Sequence, residues 1–378
     1  MRLEPNLEFA QDRLHDFIEN NLHEYAYKRN YDYGPENRSN ISHLSPFISH
    51  RLLYEFDIAK KVLSKFPYLK VEKFIQEIFW RTYWKGWLEL RPDVWDDFKT
   101  SLYDLKKKDK QYFDAISGKT NIECFNDWVN ELKEHNYLHN HTRMWFASIW
   151  IFTLKLPWQL GADFFLEYLY DGDIASNTLS WKWVAGLQTK GKHYIARPDN
   201  IHKFTNGRYS NIKLNTSMPA LTGQQDYLIK NQDFSNFQNK NDQLLMFDTD
   251  LYLSDELIDK YSKIYLVENN NDTRSIKLCE NVLLFKTNLF NNIECLSDKI
   301  SIITNDQTEN LFKSNHKFDV IYPTVGENLD YLNKLKDIFD LDLNIIFRRE
   351  DAFCWEFSNK GYFNFKKNIP KIISKFLV

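Results

Sequence analysis

Apolar residues recur at helical spacing through roughly the first 215 residues and then give way to short apolar runs. In VEKFIQEIFWRTYWKGWLELR, Phe74, Ile78, Trp80, Trp84 and Trp87 are mixed with charge at about the period of a helix. CFNDWVNELKEHNYLH and MWFASIWIFTLKL carry the same signal. The second is apolar on nearly every side, which predicts a buried central helix. GADFFLEYLYDGD reads as a helix running into a Gly-bearing turn. The connector TSMPALTGQQDYLIKNQDFSNFQNKND is rich in Asn and Gln and predicts a domain boundary near 235. Beyond it QLLMFD, KIYLVE, VLLFK, ISIITN, FDVIYP and LNIIF read as strands, separated by the helix-like LSDELIDKY and ENLDYLNKLKDIF. Apolar strands alternating with helices predict a parallel sheet buried on both faces. The expected architecture is a helical domain over residues 1–235 followed by a small α/β (Rossmann-like) domain over 236–378.

Composition sharpens the contrast between the two parts. Aromatic residues make up 16% of the chain, and ten of the eleven tryptophans lie between Trp80 and Trp183, with only Trp355 beyond. Residues 1–230 hold 31 Lys and Arg against 29 Asp and Glu, and the remainder 18 against 23, so the chain's net charge of −3 hides a slightly basic first part. A local basic face is what nucleic acid requires. Lys182, Lys190, Lys192, Arg197, Lys203, Arg208 and Lys213 face one acid, Asp199, although a solvated loop surface explains them equally well.

Cys124, Cys279, Cys295 and Cys354 show no CxxC spacing, so neither a zinc site nor an iron–sulfur cluster nor a disulfide framework is expected. The N-terminus has no apolar run of signal-peptide length and no stretch approaches 18 apolar residues. A cytoplasmic protein without membrane association is expected. No GxGxxG or GxxxxGK[ST] follows any of the late strands, so nucleotide phosphate binding there has no sequence support.

Three segments stand out chemically. DGDIASNTLSWKW sets Asp171, Asp173 and Asn177 beside Trp181 and Trp183, and acids next to buried aromatics are costly unless something pairs with them. FIQEIFWRTYWKGWLEL puts Glu77, Trp80 and Arg81 within one helical turn, and NYLHNHTRM does the same for Asn140, Arg143 and Met144. An Arg143–carboxylate pair could be a purely structural salt bridge, since mutual bonding satisfies both partners.

Taken together and in this order, the three segments resemble the FAD-binding domain of the photolyase/cryptochrome family. The resemblance runs from about Tyr25 to Tyr209 and includes SHLSPF. It implies FAD as cofactor. Tyr25, Ser42, Leu44 and Ser45 would lie on the phosphate and ribityl side, although Ile41-Ser42-His43 departs from the Thr-Ser-Arg of many relatives. Arg143 and Asp171 would form the ion pair beside the flavin ring, Asp173 would lie near its polar edge, and Asn177 near N5. Trp181 and Trp158 would be the first two members of a photoreduction chain. Trp95 and its rival Tyr103 compete for the third position.

The resemblance further implies blue-light-dependent repair of cyclobutane pyrimidine dimers (CPDs) in UV-damaged DNA, a lyase reaction. Trp80 and Trp183 would be the walls of the dimer pocket, with Glu77, Asn140 and Met144 as its polar and apolar contacts. Arg81, Lys190, Lys192 and Arg197 would touch DNA. Relatives that repair (6-4) photoproducts carry histidine where this chain has Asn140 and Met144, and His139 and His141 are out of register, so CPD chemistry is favoured. A cryptochrome-like photoreceptor is the main alternative, and a redox flavoprotein a weaker one. Family members usually begin with an antenna domain, whereas here the α/β part lies at the other end. It is expected to be a relocated or degenerate antenna-like domain or a packing domain without antenna chromophore, in a monomeric protein.

Overall fold

The computed structural model describes residues 3–105, 109–189, 191–223 and 225–377. Lys190, one of the expected DNA contacts, lies outside them. The first part is helical: α1 (Leu7–Asn20), α2 (Leu22–Lys28), α3 (Ser45–Ser49), α4 (Glu55–Leu63), α5 (Tyr68–Glu89), α6 (Asp93–Asp104), α7 (Lys110–Ile116), α8 (Glu123–His135), α9 (Asn140–Ser148), α10 (Trp158–Tyr168), α11 (Ile174–Ala185) and α12 (Pro198–Phe204). A π-helical turn, Ile149–Thr153, prolongs α9, and four of its five residues are buried. That turn and α9 form the central helix expected from MWFASIWIFTLKL. The described residues of 208–223 and 225–242 then form irregular backbone.

The second part alternates β1 (Gln243–Met246), α13 (Asp255–Asp259), β2 (Lys263–Val267), α14 (Glu280–Glu294), β3 (Ile300–Ile303), α15 (Asn305–Ser314), β4 (Lys317–Ile321), α16 (Glu327–Phe339) and β5 (Asp342–Ile346), and ends with α17 (Arg349–Trp355) and α18 (Tyr362–Phe376). All four strand pairings are parallel, in the order β3-β2-β1-β4-β5. The order reverses direction between β1 and β4. VLLFK is not a strand, contrary to its reading from sequence. It lies inside α14, where Val282, Phe285, Leu289 and Ile293 are buried at helical spacing. A short apolar run is ambiguous between the two periods.

The two parts share one hydrophobic core. Trp355 of α17 packs so tightly on α5 that a Cβ at Gly86 would collide with its ring. Arg51, buried after α3, is held by Asp250 at 2.9 Å and Asp351 at 2.6 Å, both from the second part. No described helix is long and apolar enough to cross a membrane.

Candidate functional site

A cavity of about 660 Å³ opens between α3, α5, α9 and α11. Its position follows from local structure. Asp173 starts α11 by accepting the Ser176 N–H at 2.7 Å, and His139 starts α9 by accepting the His141 N–H at 3.1 Å. These caps satisfy donors that helix starts leave free, and they aim the faces bearing Asn177 and Trp181, and Asn140 and Met144, at the same space.

One wall carries the ion pair expected from sequence. Arg143 Nη2 lies 3.0 Å from Asp171 Oδ1, and its Nε donates to the Leu138 carbonyl at 2.9 Å. Burial pushes the Asp171 carboxyl up, but Arg143 and then Arg81 outweigh it and hold it below its ordinary value. Asn177 lines the cavity beside this pair, its Nδ2 donating to the Ala162 carbonyl at 2.9 Å. Tyr25, Ser42, Leu44 and Ser45 line another side.

Across the cavity stand Glu77, Trp80, Arg81, Asn140, Met144 and Trp183. Glu77 accepts from Arg29 at 2.6 Å, and burial raises its carboxyl above the ordinary range in spite of that cation. Trp80 is stacked on Tyr362 of α18 with ring centroids 3.3 Å apart and planes 11° apart, and Tyr362 donates its hydroxyl to the Gln76 carbonyl at 3.0 Å. Trp183 stacks on Tyr194 at 5.9 Å. His139 and His141 border the cavity. Burial lowers His139 to about 4, and His141 is tied to the Asn30 carbonyl at 2.9 Å and stacked on Trp145.

Several residues stand elsewhere than expected from sequence. Asp173 lies behind the cavity wall, where Arg81 reaches it at 2.8 Å. The cap it forms and that pairing leave it no role as a lining group. Arg81 lines the cavity and donates from its Nη1 to Asp173. Within the basic stretch, Lys182 is buried against Tyr227 and Trp158, and burial lowers it to about 8. Arg208 pairs with Asp32 at 3.2 Å. Lys192, Arg197, Lys203 and Lys213 are exposed.

The tryptophans also sort themselves. Trp158 stacks on Phe98 at 5.6 Å, and Phe98 lies 5.8 Å from Trp95. Trp95 is buried and donates its Nε1 proton to Asp330 of α16 at 2.8 Å. Tyr103 is 67% exposed. The ring nearest Trp181 among the tryptophans is Trp150, at 6.2 Å. Sequence reading missed Trp150, Phe98, Arg29 and Tyr362. Of these only Trp150 carried a signal, as one more tryptophan in the aromatic-rich segment.

Comparisons with known proteins find similarity to one family. Residues 74–212 match the family described as the FAD binding domain of DNA photolyase. This region is similar to the FAD-binding part of photolyases. The deoxyribodipyrimidine photo-lyase of Streptomyces griseus is 31% identical to this chain over 174 residues, covering 42% of the chain and 38% of the relative. That of Agrobacterium fabrum is 30% identical over 184 residues, covering 47% and 37%. A crystal structure of a bacterial class III photolyase from Agrobacterium tumefaciens superimposes with a TM-score of 0.44 at 26% identity, over 53% of this chain and 43% of that one. The chain thus spans well under half the length of these photolyase relatives. A bound FAD can be tested against the cavity directly. Among its lining residues His43, Ser176, Trp181 and His139 each present a buried polar atom without a partner. Such atoms are costly unless a ligand or water completes them, so the photolyase-type cavity has the donors and acceptors that a large polar cofactor needs.

Proposed function

We propose that the protein binds FAD in the 660 Å³ cavity and uses it for light-dependent repair of cyclobutane pyrimidine dimers in DNA. The observation that carries this reading is that two sets of side chains share one space. Arg143, Asp171, Asn177 and Trp181 meet Glu77, Trp80, Asn140, Met144 and Trp183 around the same cavity.

Each group then has a task. When bound, reduced FAD supplies a light-driven electron. Tyr25, Ser42, Leu44 and Ser45 would hold its phosphate and ribityl side, and the Arg143–Asp171 pair would fix the ring. Trp80 and Trp183 provide flat apolar surfaces for a flipped-out dimer, a stacking contribution of roughly 1–3 kcal/mol per base. Tyr362 holds Trp80 in place from behind. Glu77, held by Arg29, would hydrogen-bond the edge of the dimer. Trp181 borders the cavity, and Trp158, Phe98 and Trp95 form a run of rings that would carry electrons toward the seam with the second part. Lys192 and Arg197 supply exposed positive charge to the DNA backbone. In this account residues 1–235 form the working unit, and residues 236–378 form a packing unit that supports α5.

The test is binding before catalysis. Purified protein should release FAD on denaturation, and it should bind a dimer-containing oligonucleotide more tightly than an undamaged one. Trp80→Ala should lose that preference with its flavin retained. Equal affinity for damaged and undamaged DNA in a flavin-loaded protein would replace repair with a photoreceptor reading.

A further inference from the structure

A second, smaller cavity lies at the seam between the two parts, apart from the one assigned above. It sits outside the carboxyl ends of β1 and β4, where the strand order reverses. In open parallel sheets that crevice is where ligands settle, because the loops on either side diverge and leave space between helix starts. Here the loop after β4, Pro323–Gly326, leads into α16, a helix of 13 residues whose first turn receives no side-chain cap. Its positive end borders the cavity. Gly326 has φ +148, and a Cβ there would press on Ile174 of α11, so only glycine lets the helix start approach so closely.

The second observation is Lys85. This side chain of α5 is 3% exposed, lines the cavity, and its Nζ has no hydrogen-bond partner. A buried ammonium without a partner is costly. Arg274, also on the cavity wall, commits only its Nε, to the Ile276 carbonyl at 3.3 Å. Among the described residues, no carboxylate forms an ion pair with either cation. The acids that border the cavity are already engaged. Asp173 is held by Arg81, and Asp248 by Lys286 and by Asn328. Glu327 accepts the Ser275 and Ile276 N–H groups at 2.9 and 2.8 Å. Glu89 accepts from the Tyr322 hydroxyl and the Val325 N–H, both at 2.7 Å. The unpartnered Lys85, an Arg274 bonded only through its Nε and an uncapped helix start therefore converge on one crevice, whose interior of about 40 Å³ suits a group of a few heavy atoms.

We propose that this crevice binds a single small oxyanion of the phosphate type, between Lys85, Arg274 and the first N–H groups of α16. The anion completes Lys85 and ties α5 of the helical part to α16 of the α/β part. Because α5 also carries Glu77, Trp80 and Arg81, occupancy steadies one wall of the larger cavity.

The experiment uses the full chain saturated with flavin, so that the larger cavity does not contribute. Inorganic phosphate is titrated at constant ionic strength against chloride, and binding is read from ³¹P line broadening and from the thermal unfolding midpoint. The expected result is saturable broadening with a midpoint that rises with phosphate and not with chloride. Lys85→Met should weaken binding at least tenfold, and Lys371→Met, at an exposed lysine, should leave it unchanged. Lys85→Met should unfold no earlier than the parent without phosphate, since it removes a buried unpartnered charge. That separates loss of binding from loss of fold. Absence of saturable binding to the parent protein, or equal binding by Lys85→Met, would overturn the proposal.

Discussion

The ring of Tyr362 lies on the ring of Trp80, with centroids 3.3 Å apart and planes 11° apart. One residue belongs to the last helix of the chain and the other to the longest helix of the helical part, so the far C-terminus supports the wall proposed to receive the lesion. Tyr362→Ala removes a stacked partner, a term of about 0.5–1.5 kcal/mol beyond area burial, and leaves Trp80 free to rotate. Affinity for dimer-containing DNA should fall several-fold with flavin content unchanged. Trp80→Ala should cost about ten- to a hundredfold, the equivalent of roughly 1–3 kcal/mol of stacking. Equal losses from both changes would show that Tyr362 touches the DNA itself.

The path of the electron supply is the second prediction. Trp95, Phe98 and Trp158 form a continuous run of rings, and Trp95 is anchored by Asp330. Trp95→Phe should therefore slow photoreduction of the bound flavin by at least tenfold, whereas Tyr103→Phe should leave the rate unchanged. Transient absorption on the two variants reads this directly.

Glu89 gives a pH prediction. Burial raises its carboxyl to about 7, against its bonds from Val325 and Tyr322. The folded protein then holds a proton that the unfolded chain releases near its ordinary value of about 4.3. Its contribution to stability is fully present at low pH and is lost as pH rises from there through about 7. The difference in unfolding free energy between the parent and Glu89→Gln should shrink, or turn in favour of the variant, by about 1–3 kcal/mol between pH 5 and pH 8. Urea titrations at the two pH values measure it. A difference that grows with pH would contradict the assignment.

Salt dependence separates exposed from buried lysines. Lys192→Ala and Arg197→Ala should each lower the slope of log affinity against log salt by about one if each contacts a phosphate. Lys182→Ala should leave the slope unchanged, because that lysine is buried under Tyr227.

A tight contact in the helical part supplies a stability prediction. A Cβ at Gly161 would collide with the Trp181 ring and press on Trp150. Gly161→Ala should destabilise the protein by about 1–3 kcal/mol, as overpacking of a filled core does, and should lower retained flavin if Trp181 borders it. Thermal unfolding and flavin release measure the two effects separately.

Much of this was legible in the chain itself. The helical period of Val71–Arg91 and the β-like runs after 240 marked the two architectures, because amphipathic period and strand length are local properties. The exception was VLLFK, where four apolar residues in a row fit either period and the burial of Phe285 and Leu289 decided for a helix. In the site, Arg143 with Asp171 and the Glu77–Trp80 turn were readable because the partners stand at fixed short spacings or in recognisable motifs. Arg29 on Glu77, Tyr362 on Trp80 and Asp330 on Trp95 were not. Each joins residues 48, 282 or 235 positions apart, and no local pattern encodes such a meeting. The exchange of roles between Arg81 and Asp173 was hidden for the same reason, since Asp173 had an equally good local explanation in its position before a helix.

The measurement that bears most directly on the proposed function is a light-dependent repair assay. Flavin-loaded protein, photoreduced and mixed with an oligonucleotide carrying one cyclobutane pyrimidine dimer, is held in blue light or in darkness, with Trp80→Ala alongside. The account predicts loss of the dimer in light only, abolished by Trp80→Ala while flavin stays bound. An intact dimer after illumination of a protein whose flavin is demonstrably reduced would contradict it.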